Sequence, residues 1–482
     1  MLSIFPAKNR HERLILVGAF FIFLVLSAVL NAYHEPWRDE AQAWLISMHD
    51  SFPGDIIRLS FNELSPMLWH LVLYPFARGG APYETEAVIH FVLIALAGFI
   101  WMRHAPFPTL HKVLFLFGYF MAYEYNVIAR NYVLTVLALF LVAAYFKTHV
   151  TKPWLFYTLL IFLASASIYG TVIALSVALW HAIQKDKHIV FPFFILSGII
   201  FLFVILTFAP TGIEKGLLSF FPVFSKSVPM WWNTQVFLGS TVGAFLGALF
   251  ILVPLLFFAS SMRIFFLYAL TAANLIFTLT ASNAPIYRHP GILFLFFVAS
   301  LWIFRTEETV HAPKQIARLT KLFPHSHVLT VLLLLQVSGT AVAAYLEIKY
   351  PFSYARDTAT FILQRGLSSE NTALTGFPSP TVSSLLPFLS GKFDSFFIPE
   401  YKEEGTFLKW APFTHAGKIT PEEHMKRIEG WAASKTEKNL LIASAHPLDS
   451  IIPGFSERYK RIAAFDNMPL GTDEIYYLFE RK

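Results

Sequence analysis

Leu14–Leu30 is an unbroken run of uncharged, mainly apolar residues, and runs of the same kind recur as far as residue 346. A helix rises about 1.5 Å per residue and a bilayer core is about 30 Å thick, so runs of this length cross it as helices. Within lipid each backbone N–H and C=O must find its partner inside the segment, which a helix provides. The composition agrees: 51 of 482 residues are Phe and only 14% are charged, more apolar than a soluble domain requires. The fold class this imposes is an α-helical polytopic membrane protein.

The first run also sets direction. Lys8, Arg10 and Arg13 precede it, and basic residues stay on the cytoplasmic side. No small-x-small cleavage site follows, so the run reads as an uncleaved signal anchor. Further spans are expected near 84–102, 111–124, 131–147, 153–168, 171–184, 189–208, 236–258, 262–281, 290–305 and 325–346, about eleven with the first. The stretch Ser65–Phe76 is bracketed by Pro66 and Pro75. Its roughly ten helical residues cover about 15 Å and cannot span. It reads as an interfacial helix within an external loop of about 31–83. Counting it as a span would invert every later loop and place Arg103, Lys112, Lys147, Lys152, Lys185 and Arg305 outside, against the positive-inside rule.

Several classes fall away. The formal charge of +6 is scattered over short loops, with no basic stripe to follow a phosphate backbone, so no nucleic-acid partner is expected. With no cysteine, disulfides, thiol catalysis and thiolate metal sites are excluded. There is no GxxxxGK[ST] and no GxGxxG, which argues against an ATP-driven pump. His34, His70 and His104 lack metal-ligand spacing.

Beyond Tyr350 the chain becomes richer in charge, Pro and Gly. Helices are expected near 354–365, 381–389 and 421–434. Strands are expected near 372–375, 393–398, 439–443, 461–465 and 474–479. That alternation predicts a small soluble α/β domain, 351–482, with a mostly parallel sheet. An odd number of spans places it outside, where it is expected to orient an acceptor. Its Asp394, Glu403, Glu404 and His446 read as solvated surface.

Candidate chemistry gathers on the outer face. Directly after the first run comes Tyr33-His34-Glu35-Pro36-Trp37-Arg38-Asp39-Glu40-Ala41-Gln42-Ala43-Trp44. Trp37, Ala41, Trp44, Leu45 and Met48 recur at helical spacing, with Arg38, Asp39, Gln42 and His49 off that face. The spacing predicts an amphipathic helix on the membrane surface, acids toward water and tryptophans toward lipid. Glu63, Glu124, Arg130, Arg288 and His289 return to the same side, as does the turn at Tyr169. A loop over 209–235, with Pro210, Pro222, Trp231 and Trp232, is expected to rest on the bilayer or to close over it as a lid. Ionisable groups at a membrane face are costly unless a partner or cavity takes them, which makes them site candidates. A carboxylate can take a proton from an attacking hydroxyl while guanidinium groups hold a departing phosphate. Glu124 and Arg130 also fit a structural ion pair, and His289 beside Pro290 a helix start.

In order and sidedness these residues resemble the GT-C class of membrane glycosyltransferases. The likeness rests on the acid pair Asp39-Glu40 after the first span and on Glu63-Leu-Ser-Pro66-Met-Leu-Trp69. Ala129-Arg130-Asn131-Tyr132 and Tyr287-Arg288-His289 complete it. It covers roughly residues 10–350 and is strongest toward bacterial members related to protein O-mannosyltransferases and lipid A aminoarabinose transferases. One proline stands at Pro66 where many members have two, and the distal α/β domain is not shared by all branches. The resemblance implies a polyprenyl-phosphate-linked sugar donor, attack on the outer face of a bacterial inner membrane, and Asp39 as the acid nearest the acceptor. Asp39 is then the expected catalytic base, supported by Glu40 and Glu63. Arg130, Arg288 and His289 would take the donor phosphate, and Arg38, Glu124, Tyr132 and Tyr169 would line the site. The acceptor could be glycan, lipid or protein. No cofactor is assigned, and a divalent metal ion stays open. Competing readings are a lipid-linked glycan polymerase or ligase, a secondary transporter, whose charges belong near the midplane, and a non-catalytic scaffold.

Overall fold

The computed structural model describes residues 5–49, 63, 65–185, 255, 257–281, 288–306, 325–409, 419–435, 439–467, 470 and 474–482. The expected span 189–208, most of 236–258 and the loop 209–235 lie outside them, as does Tyr287; the side chain of Arg288 is not described either.

The protein is mostly helical with a small C-terminal sheet. Among the described residues four helices are long and apolar enough to cross a membrane: Arg10–Tyr33, Thr85–His104, Met262–Leu279 and Ser326–Lys349. Shorter apolar helices occupy Tyr132–Ala144, Pro153–Ala166, Ile168–Gln184 and Gly291–Thr306. The expected 111–124 span is broken into a helix at Thr109–Leu116 and a π-helical turn at Phe120–Glu124. The stretch expected not to span forms the helix Leu68–Arg78, with Pro75 inside it and Gly79 and Gly80 ending it. At 11 residues it reaches about 16 Å, half a bilayer core.

Helix ends follow local chemistry. Asn9 Oδ1 accepts from Glu12 N at 2.8 Å, and Glu12 Oε2 reaches back to Lys8 N at 2.9 Å. These bonds satisfy donors left open at a helix start. Pro153 and Pro421 stand in first turns, where no backbone N–H is missed. Thr420 caps the second by accepting from Glu423 N.

By their contacts the residues divide into two compact units. One comprises Met1–Ala28, Phe91–Asn126 and Asn131–Ala343; the other comprises Val29–His90, Val127–Arg130 and Ala344–Lys482. The second therefore joins the segment that follows the first apolar helix to the whole C-terminal region, whereas composition suggests a division at residue 350.

Within the second unit six strands form one sheet in the order β3-β2-β1-β4-β6-β5: β1 Thr372–Phe377, β2 Phe396–Ile398, β3 Glu403–Gly405, β4 Asn439–Ser444, β5 Tyr459–Phe465, β6 Tyr476–Arg481. Only β1–β2 and β1–β4 are parallel; β2–β3, β4–β6 and β5–β6 are antiparallel. The expected mostly parallel sheet is thus a mixed one. The four residues Pro399–Lys402 between β2 and β3 are too few for a crossover, so the chain must turn back. Strand β3 escaped the sequence pattern because it is an exposed, charged edge, a form that discourages further pairing.

Both faces of the sheet are covered, and the alternation of side chains shows it. Leu374, Leu441, Ala443 and Leu478 belong to one core with Ala355, Ile362, Leu385 and Leu45. Ala373, Leu440, Ile442 and Phe479 belong to the other with Met425, Ile428 and Phe455. Successive strand residues point to opposite faces, so β4 feeds both cores in turn. Leu45 comes from the helix Arg38–His49, which thereby becomes part of the sheet's cover.

Candidate active site

The helix Arg38–His49 is not the surface helix its spacing suggests. Residues Glu40 to Ser47 are all buried. Its polar face is taken up by the C-terminal region rather than by water. Gln42 Nε2 donates to Leu408 O at 2.6 Å, and Gln42 Oε1 accepts from Leu408 N at 3.2 Å. Arg38 N donates to Glu474 Oε1 at 3.3 Å, and the other Glu474 oxygen accepts from Ser353, Ser384 and Tyr476 hydroxyls at 2.9–3.0 Å. A buried amide and carboxylate are tolerable only when so satisfied.

The two adjacent acids have opposite circumstances. Glu40 is 1% exposed. Its Oε1 accepts from Ala129 N at 2.6 Å, and its Oε2 from Trp37 N and His34 Nε2, each at 3.1 Å. His34 Nδ1 lies 2.8 Å from Glu347 Oε1, so one imidazole bridges two buried carboxylates. Burial alone would depress His34, but Glu40 and Glu347 outweigh it and push it up to about 10. It is an imidazolium donating both N–H groups. Burial would likewise raise Glu40, yet His34 and the backbone donors hold it below the usual carboxylate range.

Asp39 is more accessible. Its side chain is 19% exposed and that of Arg130 26%, against 1% for Glu40, so Asp39 is the open one of the pair. Arg130 Nη1 donates to the backbone O of Asp39 and lies 3.7 Å from Asp39 Oδ2. The Glu40 bond to Ala129 fixes the residue before Arg130, so one acid secures the geometry in which the other meets the guanidinium.

Glu63 joins this group through Gln42 Nε2, which donates to its Oε1 at 3.1 Å. Burial pushes Glu63 up to about 8, offset in part by Gln42 and Arg130, while the Asp39 charge adds to the rise. Near neutral pH Glu63 thus favours its protonated form, beside Asp39. His70, in the neighbouring helix, is driven down to about 3 by burial, with Arg130 adding to it, and is neutral. Arg38, by contrast, places its guanidinium over the Trp37 ring at 5.6 Å.

The remaining expected residues belong to the other unit. Tyr119 donates to Glu124 Oε2 at 2.7 Å, at the end of the π-helical turn. The His289 ring lies 5.7 Å from Tyr132 and 5.5 Å from Tyr169, and the two tyrosines stack at 6.3 Å. Asp39, Glu40, Glu63 and Arg130 thus form one cluster, and Tyr132, Tyr169 and His289 another. Among the described residues no group of three or more His, Asp or Glu is arranged to hold a metal ion.

Three participants were missed in the sequence. His34 was weighed only as a metal ligand, although it stands six residues before Glu40. Glu347 lies at the end of the last apolar run, and an acid there is itself a signal. Glu474 had no legible signal, because its partners are scattered from Arg38 to Tyr476.

Comparison with protein-family models, curated proteins and solved structures finds no match to the chain.

Proposed function

We propose that the protein is a membrane glycosyltransferase of GT-C type that moves a sugar from a polyprenyl-phosphate donor to an acceptor hydroxyl. In this reading the N-terminus is cytoplasmic, the site faces outward from a bacterial inner membrane, and the C-terminal sheet is extracytoplasmic. The observation that carries the reading is the pairing of partly exposed Asp39 with Arg130 at the start of the helix that follows the first apolar helix.

The chemistry fits that pair. Asp39 accepts the acceptor's hydroxyl proton as its oxygen attacks the anomeric carbon. The carbon–oxygen bond to phosphate breaks, and its electron pair leaves on the phosphate, where Arg130 meets the charge. A phosphate departs as a stable anion, so no strong acid is needed on the leaving side. One base and direct attack give inversion. Glu40, with every oxygen occupied, positions Asp39 and Arg130 and takes no proton. The acceptor, glycan, lipid or protein, would approach along the segment that the C-terminal region holds.

The test is turnover by purified protein of a polyprenyl-phosphate sugar without ATP. Asp39→Asn should keep donor binding and lower turnover by about two to four orders of magnitude, the range for losing a general base. Near-normal transfer by that variant removes Asp39 from the role. Absence of turnover by the unaltered protein with any such donor counts against the reading as a whole.

A further inference from the structure

A second polar site lies within the first unit. A cavity of about 430 Å³ is lined by Lys8, Glu12, Leu16, Phe107, Thr109 and Lys112, among others. Lys112 is 5% exposed and belongs to the helix Thr109–Leu116. Its Nζ donates to Met102 O at 2.8 Å. An ammonium carries three N–H donors, and among the described residues the other two have no partner and no carboxylate forms an ion pair with it. A buried cation in that condition is costly unless an anion reaches it.

The surroundings favour an anion. Pro108 precedes the helix, and the first N–H groups of the helix open at Thr109, where the helix dipole adds positive potential. Lys8 is exposed at the rim. The Arg305 guanidinium lies 4.5 Å from the Phe107 ring and donates to Pro106 O at 3.4 Å. The opposing charge on the lining is Glu12, whose Oε2 already accepts from Lys8 N. Leu16 and Phe107 supply an apolar wall beside this cationic end.

We infer that this cavity binds a phosphate monoester or diester, with the buried Lys112 ammonium as its principal contact and Lys8 at its mouth. The apolar wall suits a phospholipid headgroup with its first acyl carbons; a free phosphate would use the cationic end alone. The inference is independent of the glycosyltransferase reading.

The experiment is calorimetric titration of the purified full-length protein in a neutral detergent with short-chain phosphatidylglycerol, short-chain phosphatidylcholine and inorganic phosphate. Lys112→Met keeps the side-chain length without the charge and should weaken phosphatidylglycerol binding at least about fivefold, and Lys8→Gln should weaken it by a similar or smaller factor. Glu12→Gln should tighten it. Since Lys112→Met could fail to fold, the two rim variants, both at a helix start, serve as the independent pair. Preference for phosphatidylglycerol over both other probes supports a lipid headgroup. Equal binding of inorganic phosphate, with the same dependence on Lys112 and Lys8, supports a free phosphate. Binding unchanged across all variants, or no binding of any probe, overturns the inference.

Discussion

The helices Tyr132–Ala144 and Arg38–His49 are both buried along most of their length, and they are buried for different reasons. The first is almost wholly apolar; Tyr132 and Thr135 are its polar residues, Thr135 donates to Ser167 Oγ at 2.7 Å, and the residues from Val136 to Ala144 need only apolar neighbours. The second has Asp39, Glu40 and Gln42 in or near its first turn, and its burial depends on Leu408, Glu474, His34 and Ala129 arriving with the right groups. Composition suffices to bury one helix. The other requires hydrogen-bond partners from hundreds of residues away, because an unsatisfied buried polar group costs about 1–3 kcal/mol and a charged one more. Polar burial is therefore where the second unit is specific, and where it is vulnerable.

Removal of residues 351–482 breaks this comparison most severely. It takes away Leu408 and Glu474 together with the sheet core that holds Leu45. The helix Arg38–His49 should then lose its position. Limited proteolysis should cut within residues 38–49, and donor turnover should vanish along with acceptor transfer. The helix Tyr132–Ala144 should stay protected. A truncated protein that still turns over donor would show that the C-terminal region serves the acceptor alone.

His34→Ala is the next largest expected effect. It leaves Glu40 and Glu347 buried without the cation between them, a loss of about 3–5 kcal/mol for a broken buried ion pair. Leu137→Ala, in the apolar helix, should cost about 2–5 kcal/mol through its cavity. The two can be told apart by a second substitution. His34→Leu combined with Glu347→Leu should recover the share of the loss that comes from Glu347, since an apolar replacement of a buried pair is often neutral, while Glu40 keeps only the backbone donors of Trp37 and Ala129; no charge substitution repairs Leu137→Ala. Melting in detergent measures all three variants against the unaltered protein.

The pH dependence is the subtlest distinction. His34 is raised above its unfolded value, so its contribution is complete below about pH 6.5 and declines as pH climbs toward about 10. Glu40 is lowered, so its share is complete above about pH 4.5 and is lost as pH falls below that. The gap in melting temperature between the unaltered protein and His34→Gln should be widest between about pH 4.5 and 6.5 and should close near pH 10. The gap for Leu137→Ala should stay nearly constant over the same range.

Much of the fold was legible because its signals are local. A run of uncharged residues predicts its own helix, as Leu14–Leu30 and the stretch within Thr85–His104 do. The alternation of short strand-like stretches with helical ones located β1, β4 and β6 to within a few residues. The acid pair, Glu63 and Arg130 were likewise found from charge beside apolar segments, and the structure brings them together. Sequence could not reveal that Glu40 is sealed and Asp39 open, for the two are adjacent and chemically alike. Nor could it show that the helix spacing which reads as amphipathic is covered on its polar side by Leu408 and Glu474. Apolar burial is non-directional and follows from composition and period, so the sequence by itself determined the helices, their apolar character and most of the strands. Polar burial is directional and short-ranged, with partners within about 3 Å at defined angles. Only the tertiary structure could decide which distant residues would meet those terms, and so which carboxylate remained available.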